Sequence, residues 1–280
     1  MEEVWALPEG AARHVQVLRL QPGAPLVVFD GRGGQWAAEV VEMQRKAVTV
    51  RLVATAPGGC ELPVGVTLAV GMPANERMDF LVEKAAELGV QRIQPLMCAR
   101  SVLRLDGERA QRKVAHWQAV AVAACEQSGR TWVPEVSAVR TLSAYLKAGV
   151  APGARLGVLS PRATRSLVEW SADAPAVGAV GTVGSAGAAS AARTSVAGVT
   201  DAAGEPGDAD AGWWGAASGL ADDSGGSWCL LSGPEGGLTE EEEALARAMG
   251  WEPLSLGRRV LRADTAPLAA LAILGALQER

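Results

Sequence analysis

Apolar positions recur along this chain in two rhythms. In the first quarter the spacing is close to two. Leu26-Val27-Val28-Phe29 runs into Asp30-Gly31-Arg32-Gly33-Gly34, and Gln35 to Val41 alternates beyond it. An apolar run, an Asp-Gly turn and an alternating run predict a β-hairpin. Val48 to Val53 predicts another strand. Before them, Gly10 to Leu20 carries His14, Val17 and Leu18 at helical spacing, and Pro22-Gly23 ends that helix. Residues 1–66 therefore read as a small β-barrel with one short helix.

Pro57-Gly58-Gly59 and Pro63 break this pattern, and the rhythm changes. Val66 to Val70 predicts a buried strand. Met78, Leu81, Val82, Ala85 and Leu88 then fall on one helix face, Gly89 closes the helix, and Val90 to Leu96 supplies the next strand. Strand, helix and strand at this spacing make a βαβ unit and hence a parallel sheet. A helix is predicted over 108–127, extended chain over 131–136, a short helix over 142–147 and a strand over 155–160. Residues 67–280 thus read as an α/β domain.

One stretch departs from both rhythms. Residues 173–226 are dominated by Ala, Gly, Ser, Thr and Asp, with no sustained periodicity. Such a segment buries too little apolar surface to offset its ordering entropy, and it reads as a flexible insertion looped out of the second domain. It also changes how the charge is read. The 280-residue chain has a formal net charge of −5, but this stretch alone holds seven acids and one base. The remainder is close to neutral, with many arginines between Arg92 and Arg130, so overall acidity does not exclude an RNA partner.

The chemistry concentrates near the C-terminal end. Trp228 to Leu231 is an apolar run entering Gly233-Pro234-Glu235-Gly236-Gly237. Thr239 with Glu242 three residues on is a capping box, so a helix begins there, and Gly250 stops it. This turn reads as either an anion site at a helix N-terminus or a tight structural bend. Leu256-Gly257 opens a second loop crowded by Arg258, Arg259 and Arg262. The three arginines suit a phosphate or carboxylate ligand, or form a surface basic patch. Asp264 or Thr265 caps a final helix that is apolar over much of its circumference, to be buried inside the domain or against a second subunit. Glu126-Gln127-Ser128-Gly129-Arg130 ends the long helix, either as a contact to a base or phosphate or as a plain cap at Gly129.

Several classes are disfavoured. No Gly-Lys-Ser/Thr follows the glycine turn, and no G-x-S-x-G elbow is present. Cys60, Cys98, Cys125 and Cys229 form no C-x-x-C pair and only two histidines exist, so no metal site is expected; reduced thiols suit a cytoplasmic protein. No secretory leader is expected, and the apolar run from Pro267 to Leu277 is too short to span a bilayer.

Leu231 to Thr239 followed by Leu256 to Ala266 closely resembles the ribosomal small-subunit methyltransferase E family, the 16S rRNA (uracil-N3)-methyltransferases of the SPOUT class. His14 to Gly23, Phe29-Asp30-Gly31, Glu83 to Val90 and Glu126 to Arg130 resemble further signatures of that family. The chain departs from it at Gly257-Arg258-Arg259, where Gly-Pro-Arg is common, and at Ala263-Asp264, where Thr-Glu is common.

The resemblance implies an N-terminal PUA-like RNA-binding barrel, then an α/β SPOUT domain with a C-terminal trefoil knot, working as a homodimer on 16S rRNA of the small subunit. It implies S-adenosylmethionine as cofactor, held by Leu159, by Gly233, Pro234, Glu235, Gly236 and Gly237, by Leu256 and Gly257, and by Leu261, Arg262 and Thr265. Arg262 and Arg130 are the expected catalytic groups. Arg13, Arg19 and Arg32 on the barrel, with Arg100 and Arg104, are the expected RNA contacts. Two alternatives stay open: a non-catalytic RNA-binding assembly factor, and methylation of another RNA position.

Overall fold

The structure, a computed structural model, describes residues 4–45, 47–56, 60–74, 76–173, 195–197 and 227–278. The chain divides into two compact units at Gly58/Gly59, within the Pro57-Gly58-Gly59 break.

The first unit begins with β1 (Val4–Ala6), α1 (Glu9–Val17), β2 (Pro25–Phe29), β3 (Gln35–Met43) and β4 (Val48–Thr55). The strands pair antiparallel in the order β1-β4-β3-β2. The predicted hairpin is present: Phe29 faces Gln35, and Asp30 Oδ1 accepts from the Arg32 and Gly34 amides at 2.8 and 3.0 Å. Gly31 and Gly33 supply the positive φ angles that the bend requires. Ala11, Ala12 and Val15 of α1 share one core with Val28, Ala38, Val40, Val48 and Val50. The helix stops at Val17, short of the predicted Leu20, and the chain then reverses through Arg19 at φ 54°.

The second unit contains β5 (Val66–Gly71), α2 (Glu76–Glu87), β6 (Arg92–Met97), α3 (Gly107–Ser128), β7 (Glu135–Val136), β8 (Arg140–Thr141), α4 (Leu142–Ala148), β9 (Arg155–Leu159) and α5 (Leu167–Ala172). Here the chain supplies β10 (Ser195–Ala197) to the first unit's sheet, parallel to β2. The second unit resumes with β11 (Trp228–Ser232), α6 (Glu240–Ala248), β12 (Glu252–Leu254) and α7 (Thr265–Gln278).

The structure adds to the sequence pattern or departs from it in three places. The extended run over 131–136 shortens to β7. An unforeseen helix, α5, starts at Ser166, whose side chain accepts from the Glu169 amide in a capping box. Within the expected insertion, β10 pairs with the edge of β2, where unpaired backbone groups template an added strand. The rest of the expected flexible insertion, except Asp173, lies outside the described residues.

The second sheet runs β12-β9-β11-β5-β6-β7, with β8 also on β6, and every pairing is parallel. β11, late in sequence, sits between β9 and β5. Cys229 and Leu231 turn toward α4 and α6, packing with Leu142, Leu146 and Ala246. On the other face Trp228 meets Trp170 of α5 edge-on, and α7 covers β11 and β5. Burial on both faces explains why β11 reads as a continuous apolar run rather than an alternating one.

Candidate active site

Parallel strands all end on the same edge of a sheet, and ligands of open α/β folds sit beyond the carboxyl ends of the strands. Here that edge gathers the loops after β12, β9, β11, β5 and β6. Leu159 is the last residue of β9. Gly233 to Gly237 follow β11, Leu256 and Gly257 follow β12, and Leu261 and Arg262 lead into α7, which begins at Thr265. Every residue expected to hold a cofactor therefore lies on one edge.

The β11 turn is seated by close backbone approach. A Cβ on Gly71, at the end of β5, would lie 2.6 Å from the Pro234 nitrogen, and one on Gly233 would lie 2.9 Å from the Leu238 nitrogen. The Gly237 amide donates to the Pro234 carbonyl at 2.8 Å. Side chains then clamp the turn. Glu235 accepts from the Ala74 amide at 2.9 Å, so its carboxylate is engaged in holding the β5 loop. Arg100 Nη1 donates to the Gly236 carbonyl at 2.9 Å. Glu242 has two tasks: one oxygen completes the capping box with the Thr239 amide, and the other accepts from the Ala99 amide at 2.7 Å. The capping box was legible in sequence; the second contact, 143 residues away along the chain, carries no sequence signal.

In front of these turns the site is open. A Cβ on Gly237 or Gly257 would meet nothing within 4 Å, and both residues have positive φ. These two open left-handed turns, on the carboxyl edge of β11 and β12, are the candidate cradle for a ligand. Arg258, Arg259 and Arg262 are exposed beside it, and none has an ion-pair partner among the described residues. The Arg262 carbonyl accepts from the Thr265 and Ala266 amides and so starts α7. Cys98 packs at this edge against Gly71. Burial, with Glu242 adding to it, pushes its thiol from 9.0 up to about 12, so it stays protonated and is no nucleophile at neutral pH.

A separate cavity of about 550 Å³ opens on the α6 side of the β9 end, lined by Ser160, Arg162, Arg165, Glu243, Arg247 and Glu252 among others. Its charges already pair with one another. Glu243 meets Arg162 at 3.0 Å and Arg247 at 3.7 Å, and Arg165 binds Glu252. It lacks the bare glycine backbone of the cradle.

Arg130 does not join the site. It is buried near the amino end of β6, and all its donor groups face inward. Nε and Nη2 bind Glu61 at 3.0 and 2.5 Å, while Nη1 binds the Ala86 and Val90 carbonyls at 2.8 and 2.9 Å. Its role is to tie the end of α2 to the chain entering β6, and the catalytic assignment is withdrawn. Arg104 is exposed, with one bond to the Ala99 carbonyl. Arg13, Arg19 and Arg32 are exposed on the first unit. Among the described residues no His/Cys/Asp/Glu group is arranged to hold a metal, and no helix is long and apolar enough to cross a membrane.

Comparison with known proteins now adds to this geometry. An RNA methyltransferase domain model matches residues 60–191 and 211–275, and an RNA methyltransferase PUA domain model matches 7–53. The ribosomal RNA small subunit methyltransferase E of Synechocystis sp. is 31% identical over 264 residues, covering 94% of this chain and 70% of the relative. The Bacillus subtilis protein of the same name is 26% identical, covering 92% and 83%. Among solved structures, the Neisseria gonorrhoeae methyltransferase E bound to S-adenosyl methionine matches with a TM-score of 0.74 at 26% identity, covering 99% of this chain and 92% of that one. A Legionella pneumophila chain solved in complex with the same cofactor matches at 0.75 and 27%, covering 99% and 93%. A glycine cradle on a parallel sheet edge, two family models and these relatives agree: the chain belongs to the ribosomal RNA small subunit methyltransferase E family.

Proposed function

We propose that this protein methylates N3 of a uracil in 16S rRNA of the small ribosomal subunit, using S-adenosylmethionine. The observation that carries the reading is the open cradle at Gly237 and Gly257 on the carboxyl edge of β11 and β12. A cofactor held by main-chain groups needs turns without side chains, because backbone must approach it closely. Leu159, the 233–237 turn, Leu256-Gly257 and Leu261 are the residues that would hold it.

Bound there, S-adenosylmethionine supplies an already activated methyl group, so the protein's task is positioning and charge management. The uracil must be unpaired and presented to the cradle. Its N3–H is weakly acidic, and negative charge develops on the base as that proton leaves. Arg262, exposed beside the cradle with no carboxylate partner among the described residues, is the group we assign to stabilise that charge. Ala263 in place of threonine removes a hydroxyl from this loop, and the Asp264 carboxylate accepts from Thr265 Oγ1 at 3.3 Å.

The same reading makes the first unit a PUA-like barrel gripping RNA through Arg13, Arg19 and Arg32. It ties the second unit's end into a trefoil knot. In support, β11 lies between β9 and β5, and the chain beyond β12 leads to a helix packed on β11 and β5. The same reading makes the protein a homodimer. Acting on ribosomal RNA, the enzyme would work in the cytoplasm.

The test is nucleoside mass spectrometry of 16S rRNA from a strain lacking the gene, with and without complementation. Loss of 3-methyluridine and its return on complementation are expected. Persistence of the modification in the deletion strain contradicts the assignment.

A further inference from the structure

The loop from β6 into α3 has a surface that the cofactor site does not use. Along residues 101–106, Ser101, Leu103 and Leu105 are buried while Val102, Arg104 and Asp106 point out. This alternation is that of extended chain pinned by its apolar side. The pinning continues at its start, where the Cys98 amide donates to Ser101 Oγ at 3.0 Å. Val102 is left 77% exposed between two arginines, although burying it would be favourable.

The charge continues into the helix. Arg109, Arg112 and Lys113 stand at i, i+3 and i+4, on one side of α3. Arg109 and Lys113 have no ion-pair partner among the described residues. Arg112 has only a loose contact to Glu108, 3.9 Å apart with both side chains highly exposed, and such pairs are worth little. Between residues 99 and 116 five Lys/Arg stand against two acids, in a chain whose total is −5. The patch is continuous with the candidate site, because Arg100 clamps the Gly236 carbonyl.

We infer that this ridge is a docking wall for the RNA substrate: Arg104, Arg109, Arg112 and Lys113 track successive phosphates, and Val102 gives apolar contact to a base or ribose. The inference rests on the methyltransferase reading, since it supplies the strand that enters the cradle. Cations without acidic partners, on a rigid helix and a pinned loop, hold a polyanion without first breaking ion pairs.

The test uses the full-length protein, a small-subunit rRNA fragment containing the methylated uridine, and the triple variant Arg109→Gln/Arg112→Gln/Lys113→Gln. Lys147→Gln, exposed on α4, is the control. Binding is measured between 50 and 200 mM salt, with thermal melting and S-adenosylmethionine calorimetry confirming that the variants are folded. Three lost phosphate contacts on single-stranded RNA flatten the log–log salt slope by about 2, so wild type loses roughly twentyfold more affinity than the variant across that range. Val102→Ser is expected to weaken binding with the slope unchanged.

An unchanged slope in the triple variant, with wild type still methylating the fragment, overturns the ridge and leaves the enzymatic reading standing. Weaker binding without a slope change also overturns it, and assigns the face to another role such as an acidic protein partner. Wild type that binds cofactor but methylates no small-subunit RNA removes the enzymatic reading and the ridge with it.

Discussion

Gly71 and Pro234 touch where a side chain would stand: a Cβ on Gly71 would be 2.6 Å from the Pro234 nitrogen. One strand end thus fixes where the glycine turn of the next strand lies. Gly71→Ala forces backbone apart in a packed place, at a cost of about 1–3 kcal/mol. Calorimetry should show S-adenosylmethionine affinity reduced about tenfold or more, with the far-ultraviolet circular dichroism spectrum retained. Unchanged affinity would show that the turn is not part of the cofactor site.

Arg130→Ala should act on stability rather than chemistry. It leaves Glu61 without its cation and removes one donor each from the Ala86 and Val90 carbonyls, of which Ala86 still accepts from the Gly89 amide. Removing one partner of a buried ion pair costs about 3–5 kcal/mol, and Glu61 is partly exposed, so the low end applies. Denaturant unfolding measures this, and the folded fraction should keep its kcat.

Arg262→Ala should do the reverse. The side chain is exposed and unpaired among the described residues, so stability should stay within about 0.5 kcal/mol of wild type. Loss of charge stabilisation should lower kcat about a hundredfold. Single-turnover kinetics separates this from a change in RNA binding.

Three buried thiols give the protein a defined alkaline limit. Burial is the main cause raising Cys98, Cys125 and Cys229 from 9.0 to about 12. A folded pKa above the unfolded one means that the native state keeps the proton longer. Their contribution is full below pH 9 and drains as pH rises toward 12, at up to about 1.4 kcal/mol per pH unit for each thiol. Urea midpoints at pH 8 and pH 10 should differ accordingly, and replacing Cys125 with Ala should reduce the difference. Native protein should alkylate first at Cys60, the exposed cysteine.

Much of the fold was legible because apolar spacing reports burial directly. The β2–β3 hairpin, α2 with its Met78–Ala85 face, and the Thr239–Glu242 cap all stand where the pattern put them. Ser166 and Glu169 carried an equally clear capping box, but the helix they start is only six residues long, and no apolar period marked it. β10 was hidden because a three-residue strand needs only a free sheet edge, which sequence does not display. The glycines of the 233–237 turn made a tight turn legible but left an anion site and a structural bend open, and the cofactor was named only by the family resemblance. Arg130 was misread for a physical reason: its partner Glu61 lies 69 residues away, and only folding reveals that a cation is fully engaged.

The most direct test mixes purified protein, isotope-labelled S-adenosylmethionine and small-subunit rRNA, then digests the RNA and identifies the labelled nucleoside. The account predicts label in 3-methyluridine, lost in Arg262→Ala and greatly reduced in Gly71→Ala. Label in a different nucleoside, or cofactor binding with no transfer, would contradict it.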